Sequence, residues 1–136
     1  RLNRTPWVPL AAPALLRGRE PLRSWDELPW LGWSAPLHQL HVARWLGARV
    51  KVPLVVRTNS FVVQVNAALA GLGALLTPTP YEAVYQLQRV PLSRALARDA
   101  RSAPPDDLWL VTHESLRRVP RVAAVWDFIA GALSSS

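Results

Sequence analysis

The chain has no cysteine, no methionine and a single lysine, Lys51. Without cysteine there is no disulfide, no thiol nucleophile and no cysteine-held zinc, which fits a cytoplasmic protein. Without methionine, and with Arg1 in first place, the sequence reads as a piece of a longer chain. Long apolar runs are missing too. The longest, Ala67 to Leu76, is about ten residues, well short of the eighteen or so of a membrane span. The chain does not open on the charged, hydrophobic and small-residue pattern of a signal peptide, and no membrane partner is expected. Acidic residues are scarce, nine against sixteen basic, for a net charge of +7. Fifteen of those basic residues are arginines scattered along the chain, the densest group being Arg117, Arg118 and Arg121. A nucleic-acid surface would cluster them with aromatics or on a recognition helix, so this pattern reads as an arginine-rich solvated surface.

What is present points to one folded domain. The 136 residues are half apolar and include seven tryptophans. Strand and helix signals alternate. Trp7 to Leu10 is a short apolar strand, and Ala12 to Arg17 a helical turn after Pro13. Ser24 with Glu27 makes a capping box. Trp30 to Trp33 reads as a strand, and a helix starting at Pro36 runs to about Leu46 and stops at Gly47. Later come a short helix over Pro80–Tyr85, an edge strand over Gln88–Pro91, a linker-like stretch over Leu92–Asp106 and a strand over Leu108–Thr112. The clearest helix spans Pro120 to Leu133, with Val122, Val125, Trp126, Ile129 and Leu133 on one face. Ser134–Ser136 reads as a frayed end. This order predicts an α/β fold: a three-layer, mostly parallel sheet with helices on both faces.

The central stretch, Val52 to Pro78, is a complete strand–helix–strand unit. Pro53 to Arg57 is valine-rich and too short for a helix. Thr58, Asn59 and Ser60 suit a helix N-terminus, where their side chains accept from free amides. Phe61 to Ala70 is apolar except at Gln64 and Asn66 and ends at Gly71, so little of its circumference should face water. Ala74 to Thr77 returns as a strand closed by Pro78 and Pro80. The open helix start carries roughly half a positive charge and unpaired N–H donors, suited to a carboxylate or phosphate.

Other chemistries fit the residues poorly. His38 and His41, three apart, have metal-ligand spacing, but neither cysteine nor a nearby carboxylate completes a site; no metal or cofactor is expected. His38 stays open between an effector contact and a solvent-facing role. Ser60 with His113 lacks the glycine-flanked elbow of a nucleophile. Asp106 and Asp107 are adjacent and would point oppositely in a strand. Gly71-Leu72-Gly73 follows a helix, whereas a dinucleotide fingerprint opens one. No catalytic set assembles, so an enzyme is not expected. The helix Phe61–Ala70 is either covered within its own lobe or part of a subunit contact.

Four segments in this order, WVPLAAPALLRGREPLRSWDELPWLGW, NAALAGLGALLTP, LQRVPL and LWLVTHESLRRVPRVAAVWDFIAGAL, resemble the effector-binding domain of LysR-type transcriptional regulators. The resemblance implies a two-lobed fold like type 2 periplasmic binding proteins, with a small-molecule effector, an organic anion, held between lobes. It implies a homodimer or homotetramer, and DNA contact only through an N-terminal domain outside this sequence. Residues 1–107 would be the second lobe, and 108–136 the strand and helix returning to the first. Carried over, the effector-binding positions are Ser34, Pro36, Leu37 and His38 at one strand-to-helix corner and Thr58, Asn59 and Ser60 at another. A solute-binding protein of a transport system is the alternative that the same fold allows.

Overall fold

The computed structural model describes residues 1–133; the expected fraying of Ser134–Ser136 lies outside them. In chain order the elements are β1 (Asn3–Thr5), β2 (Trp7–Ala11), α1 (Pro13–Leu16), a 3-10 turn at Trp25–Glu27, β3 (Leu31–Trp33), a 3-10 turn at Leu37–Gln39 and α2 (His41–Gly47). There follow β4 (Val56–Thr58), α3 (Phe61–Leu69), β5 (Leu75–Pro78), α4 (Tyr81–Val84), β6 (Gln88–Arg89), α5 (Arg94–Ala100), β7 (Asp106–Leu108), a 3-10 turn at Glu114–Leu116 and α6 (Pro120–Leu133). Contacts divide the chain into two units: Pro6–Pro105, and the two chain ends up to Thr5 and from Asp106.

Within Pro6–Pro105, β2 lies between β5 and β6 and is antiparallel to both. The β3–β4 ladder is parallel, and a parallel bridge between Trp30 and Ala74 ties it to β5. Three of the four ladders in the described chain are therefore antiparallel, against the expectation of a mostly parallel sheet. The cause is chain direction: β2 enters opposite to β3, β4 and β5, so placing it beside β5 forces antiparallel pairing. The α/β character stands.

Two apolar clusters form the core. One gathers Trp25 of the 3-10 turn, Trp45 of α2, Leu76 of β5 and Leu96 of α5, with Leu22 and Trp30 from the connecting chain. Its three indoles pack closely, with ring centroids 5.5 Å apart for Trp25–Trp30 and 5.4 Å for Trp25–Trp45. The other joins α3, through Val65 and Ala68, to Leu10, Leu31 and Leu75 of the strands. Ser24 and Glu27 form the predicted capping box: Glu27 Oε1 accepts from the Ser24 amide at 2.6 Å. Asp26 reaches forward and accepts from the Lys51 and Val52 amides, so it pins the loop that leads into β4.

Several segments differ from the sequence reading. The helix expected from Pro36 to Leu46 is broken: Leu40 is extended (φ −54°, ψ 142°), leaving the 3-10 turn and α2 as separate pieces. The strand expected over Pro53–Arg57 is shorter and later, at Val56–Thr58. Leu92–Asp106, read as a linker, holds α5, capped by Ser93 and anchored through buried Leu96. Its Asp99 takes two 2.8 Å hydrogen bonds from the Arg49 guanidinium and one from the Trp25 indole, also 2.8 Å. Arg49 in turn lies 4.0 Å over the Trp45 ring. Gly71, at φ +77°, ends α3 as expected.

In the unit of the chain ends, β1 and β7 pair antiparallel with Thr5 opposite Asp106 and Asn3 opposite Leu108. Arg4 bridges Asp107 at 3.0 Å. The strand expected at Leu108–Thr112 thus sits earlier, because the ladder partner, β1, offers only three residues. Helix α6 matches its predicted range.

Candidate functional site

Parallel pairing of β3 with β4 sets the geometry of the site. Leu31, Gly32 and Trp33 lie opposite Val56, Arg57 and Thr58, so both strands end level and both corners leave from one edge. The corners are joined directly, the Ser34 amide donating to the Thr58 carbonyl at 3.0 Å.

The first corner is a closed turn. After the cis Ala35–Pro36 peptide, the His38 amide donates to the Ser34 carbonyl at 2.9 Å. Ser34 and Leu37 are half-buried, while Pro36 and His38 are exposed. The amides of Ser34 and His38 are therefore engaged inside the protein. The second corner differs. The Thr58 hydroxyl accepts from the Ser60 amide at 3.1 Å, and the Ser60 hydroxyl caps α3 by accepting from Val63 at 3.4 Å. Thr58 and Ser60 are half-buried and Asn59 is exposed.

Aromatic side chains border these corners, and of these the sequence reading picks out only Trp33 for the cleft. Trp33, closing β3, stacks on Phe61, opening α3, with centroids 6.5 Å apart. Phe61 meets Tyr81 of α4 at 4.9 Å, and Tyr81 stacks on Tyr85 at 6.0 Å. A weak signal was available: each of these residues sits within one or two positions of a strand or helix end, where side chains gather at the mouth of a sheet.

Beside the corners lies a cavity of about 420 Å³, bordered by His38, Arg44, Leu54, Arg57, Gln64 and Leu76 among others. Of the seven predicted site residues, His38 alone lines it. A larger hollow of about 540 Å³ lies elsewhere in the same unit, between Trp7 and Arg101, and touches neither corner. No group of three or more His, Asp or Glu side chains that could hold a metal occurs among the described residues.

Matching the sequence to known families places it. The LysR substrate binding domain model aligns with residues 1–134. The chain belongs to that family. Comparison with curated protein sequences gives no match. Among solved structures, the CrgA regulatory domain from Neisseria meningitidis superposes with a TM-score of 0.66 at 17% identity, over 97% of this chain and 66% of that one. The AmpR effector domain of Pseudomonas aeruginosa gives 0.64 at 14% identity, over 98% of this chain and 63% of that one. The effector-binding domain of QuiR, solved with shikimate, gives 0.58 at 13% identity, over 98% and 64%. This LysR-type chain thus spans about two thirds of the length of the domains that it resembles, and shares their α/β fold, of the type 2 periplasmic-binding-protein kind.

In this LysR-type domain the polar residues at the two corners come from opposite ends of a stretch that holds a 3-10 turn, α2 and β4, and the β3–β4 register brings them together. What the edge offers is mixed chemistry: three hydroxyls, an amide side chain, an imidazole, an aromatic wall and the start of a nine-residue helix. That set offers hydrogen-bond partners and a stacking surface to a small polar molecule.

Proposed function

We propose that this chain is the effector-sensing part of a cytoplasmic LysR-type transcriptional regulator and binds a small organic anion. Pro6–Pro105 serves as the second lobe of a two-lobed, three-layer domain, and the chain ends belong to the first lobe, whose remainder comes from sequence outside these residues. Ser34, Pro36, Leu37, His38, Thr58, Asn59 and Ser60 border the effector crevice. DNA contact belongs to a separate N-terminal domain. The observation that supports this reading most is the Ser34–Thr58 hydrogen bond, which holds two polar corners at one edge of the sheet.

An effector acts here only through a difference in its affinity for two arrangements of the protein, a coupling of about 1–3 kcal/mol in typical cases. The arrangements also involve subunits. Helix α3 turns its polar Gln64 inward and its apolar Val62, Val63 and Leu69 outward, with Val62 63% exposed. A face of that kind is covered in a homodimer or homotetramer.

The test is titration of the intact protein with organic acids, shikimate among them, followed by melting temperature and calorimetry. A binding acid should lose about tenfold in affinity on Ser60→Ala, with a stability loss of about 0.5–1 kcal/mol from the long cap bond. Unchanged affinity removes Ser60 from the site. Failure of a broad panel of organic acids to raise the melting temperature overturns the reading.

A further inference from the structure

Gln64 stands out among the polar residues of Pro6–Pro105. It lies on α3 at 1% exposure, in the apolar company of Val65, Ala67 and Ala68, and its side-chain Nε2 has no hydrogen-bond partner. A buried amide without a partner is costly, and leucine at the same place would remove that cost. The residue is nevertheless glutamine, and it lines the cavity of about 420 Å³ described above. The same cavity is walled by Leu31, Val42, Leu46, Leu54 and Leu76. It lies where β3 and β5 part: the two strands are joined by the Trp30–Ala74 bridge and have no ladder beyond it.

The charged groups around the cavity have one sign. Arg44 of α2 and Arg57 of β4 line it, and neither has an ion-pair partner among the described residues. His38 borders it too, and no carboxylate does. Gly32 lets the Leu54 side chain lie close against β3 as one wall of the cavity, since a Cβ there would run into it.

We infer that this cavity is a ligand pocket inside the second lobe, taking a small carboxylic acid with an apolar or aromatic body and a hydroxyl or carbonyl group. The acid group meets Arg44 and Arg57, the body packs on the leucines, and the polar group satisfies the Gln64 amide. A hydroxyl is the best match, because it donates and accepts and so pairs with either end of the amide. The volume falls in the lower part of the range for small-molecule sites, which suits one ring or a short chain. This pocket deepens the effector-sensing reading, on which it rests, but uses a residue outside the seven corner positions.

The probe is 4-hydroxyphenylacetate, with phenylacetate and 4-hydroxyphenylethanol as partners that lack the hydroxyl and the carboxylate. Calorimetry on the intact protein should show binding of the first, and about tenfold weaker binding of each of the others, the effect of one lost hydrogen bond or ion pair. Gln64→Leu should abolish the preference for 4-hydroxyphenylacetate over phenylacetate while leaving the melting temperature equal to or above the parent's. Arg57→Ala should weaken both acids and leave 4-hydroxyphenylethanol unaffected. A merely structural Gln64 would instead lower the melting temperature and leave the hydroxyl preference intact, which overturns the proposal, as does failure of 4-hydroxyphenylacetate to bind at millimolar concentration. An organic acid whose affinity depends on Ser60 but not on Gln64 would sink this pocket and leave the corner site standing.

Discussion

Asp99 offers the sharpest test of how this lobe is held together. Its carboxylate accepts two hydrogen bonds from Arg49 and one from Trp25, all at 2.8 Å. It joins α5 to the loop after α2 and to the tryptophan cluster. Asp99→Asn keeps the size and one acceptor oxygen but removes the charge and one arm of the bidentate pair. Hydrogen bonds to charged groups contribute about 1.5–3 kcal/mol when shielded. The Asp99 side chain is 34% exposed, so solvent screening brings the expected loss to about 1–2 kcal/mol. Urea unfolding followed by tryptophan emission should show a lower midpoint with an unchanged slope.

The pH dependence supplies an independent check. The Arg49 hydrogen bonds, opposed by burial and aided by Trp25, hold the Asp99 carboxyl below its ordinary value. A carboxyl lowered on folding stabilises the protein above its unfolded pKa, about 3.9, and that stabilisation fades as pH falls through the lower folded value. The difference between parent and Asp99→Asn should therefore be constant from neutral pH to about 5 and shrink below about 4. A difference under about 0.5 kcal/mol at pH 7, or one that persists undiminished at pH 3, would refute the assignment.

Two further outcomes follow from the packing. Gly73→Ala puts a Cβ 2.9 Å from the Pro29 carbonyl oxygen, which also accepts from Ala74 at 2.8 Å, so backbone must shift; thermal or urea unfolding should show a loss of about 1–3 kcal/mol. Val62→Asp on the outer face of α3 should leave the monomer's stability within about 0.5 kcal/mol, while sedimentation shows the intact protein's oligomer dissociating. An unaltered oligomer would mean that another face holds the subunits.

How much was legible in the sequence depended on whether the signal was local. The Ser24–Glu27 cap, the stop at Gly71 and the span of Pro120–Leu133 are each written within a few residues, and each formed as read. Helix α5 was missed because Arg94, Arg98, Asp99 and Arg101 make it look like solvated chain. Its order depends on Leu96 and on an Arg49 partner fifty positions away, although Ser93 three residues before Leu96 was a usable cap signal. In α3 the pattern is apolar nearly all round, so periodicity could not say which side is inside; the buried Gln64 and exposed Val62 reverse the simplest reading. The candidate corner positions came from the family resemblance, which also put them on one crevice, and the β3–β4 register, a long-range property, accounts for their adjacency. The engagement of the Ser34 amide comes from the same source, while that of the His38 amide is local to its turn.

The short ladder of β1 with β7 has a topological side. Asn3, Arg4 and Thr5 stand opposite Leu108, Asp107 and Asp106. Arg4 and its partner Asp107 are 103 positions apart in the sequence. Three residue pairs thus close a very long ring of chain, and they must offset the entropy lost in bringing its ends together. Cutting the backbone anywhere inside that ring would leave β1 and β7 to find each other as separate pieces.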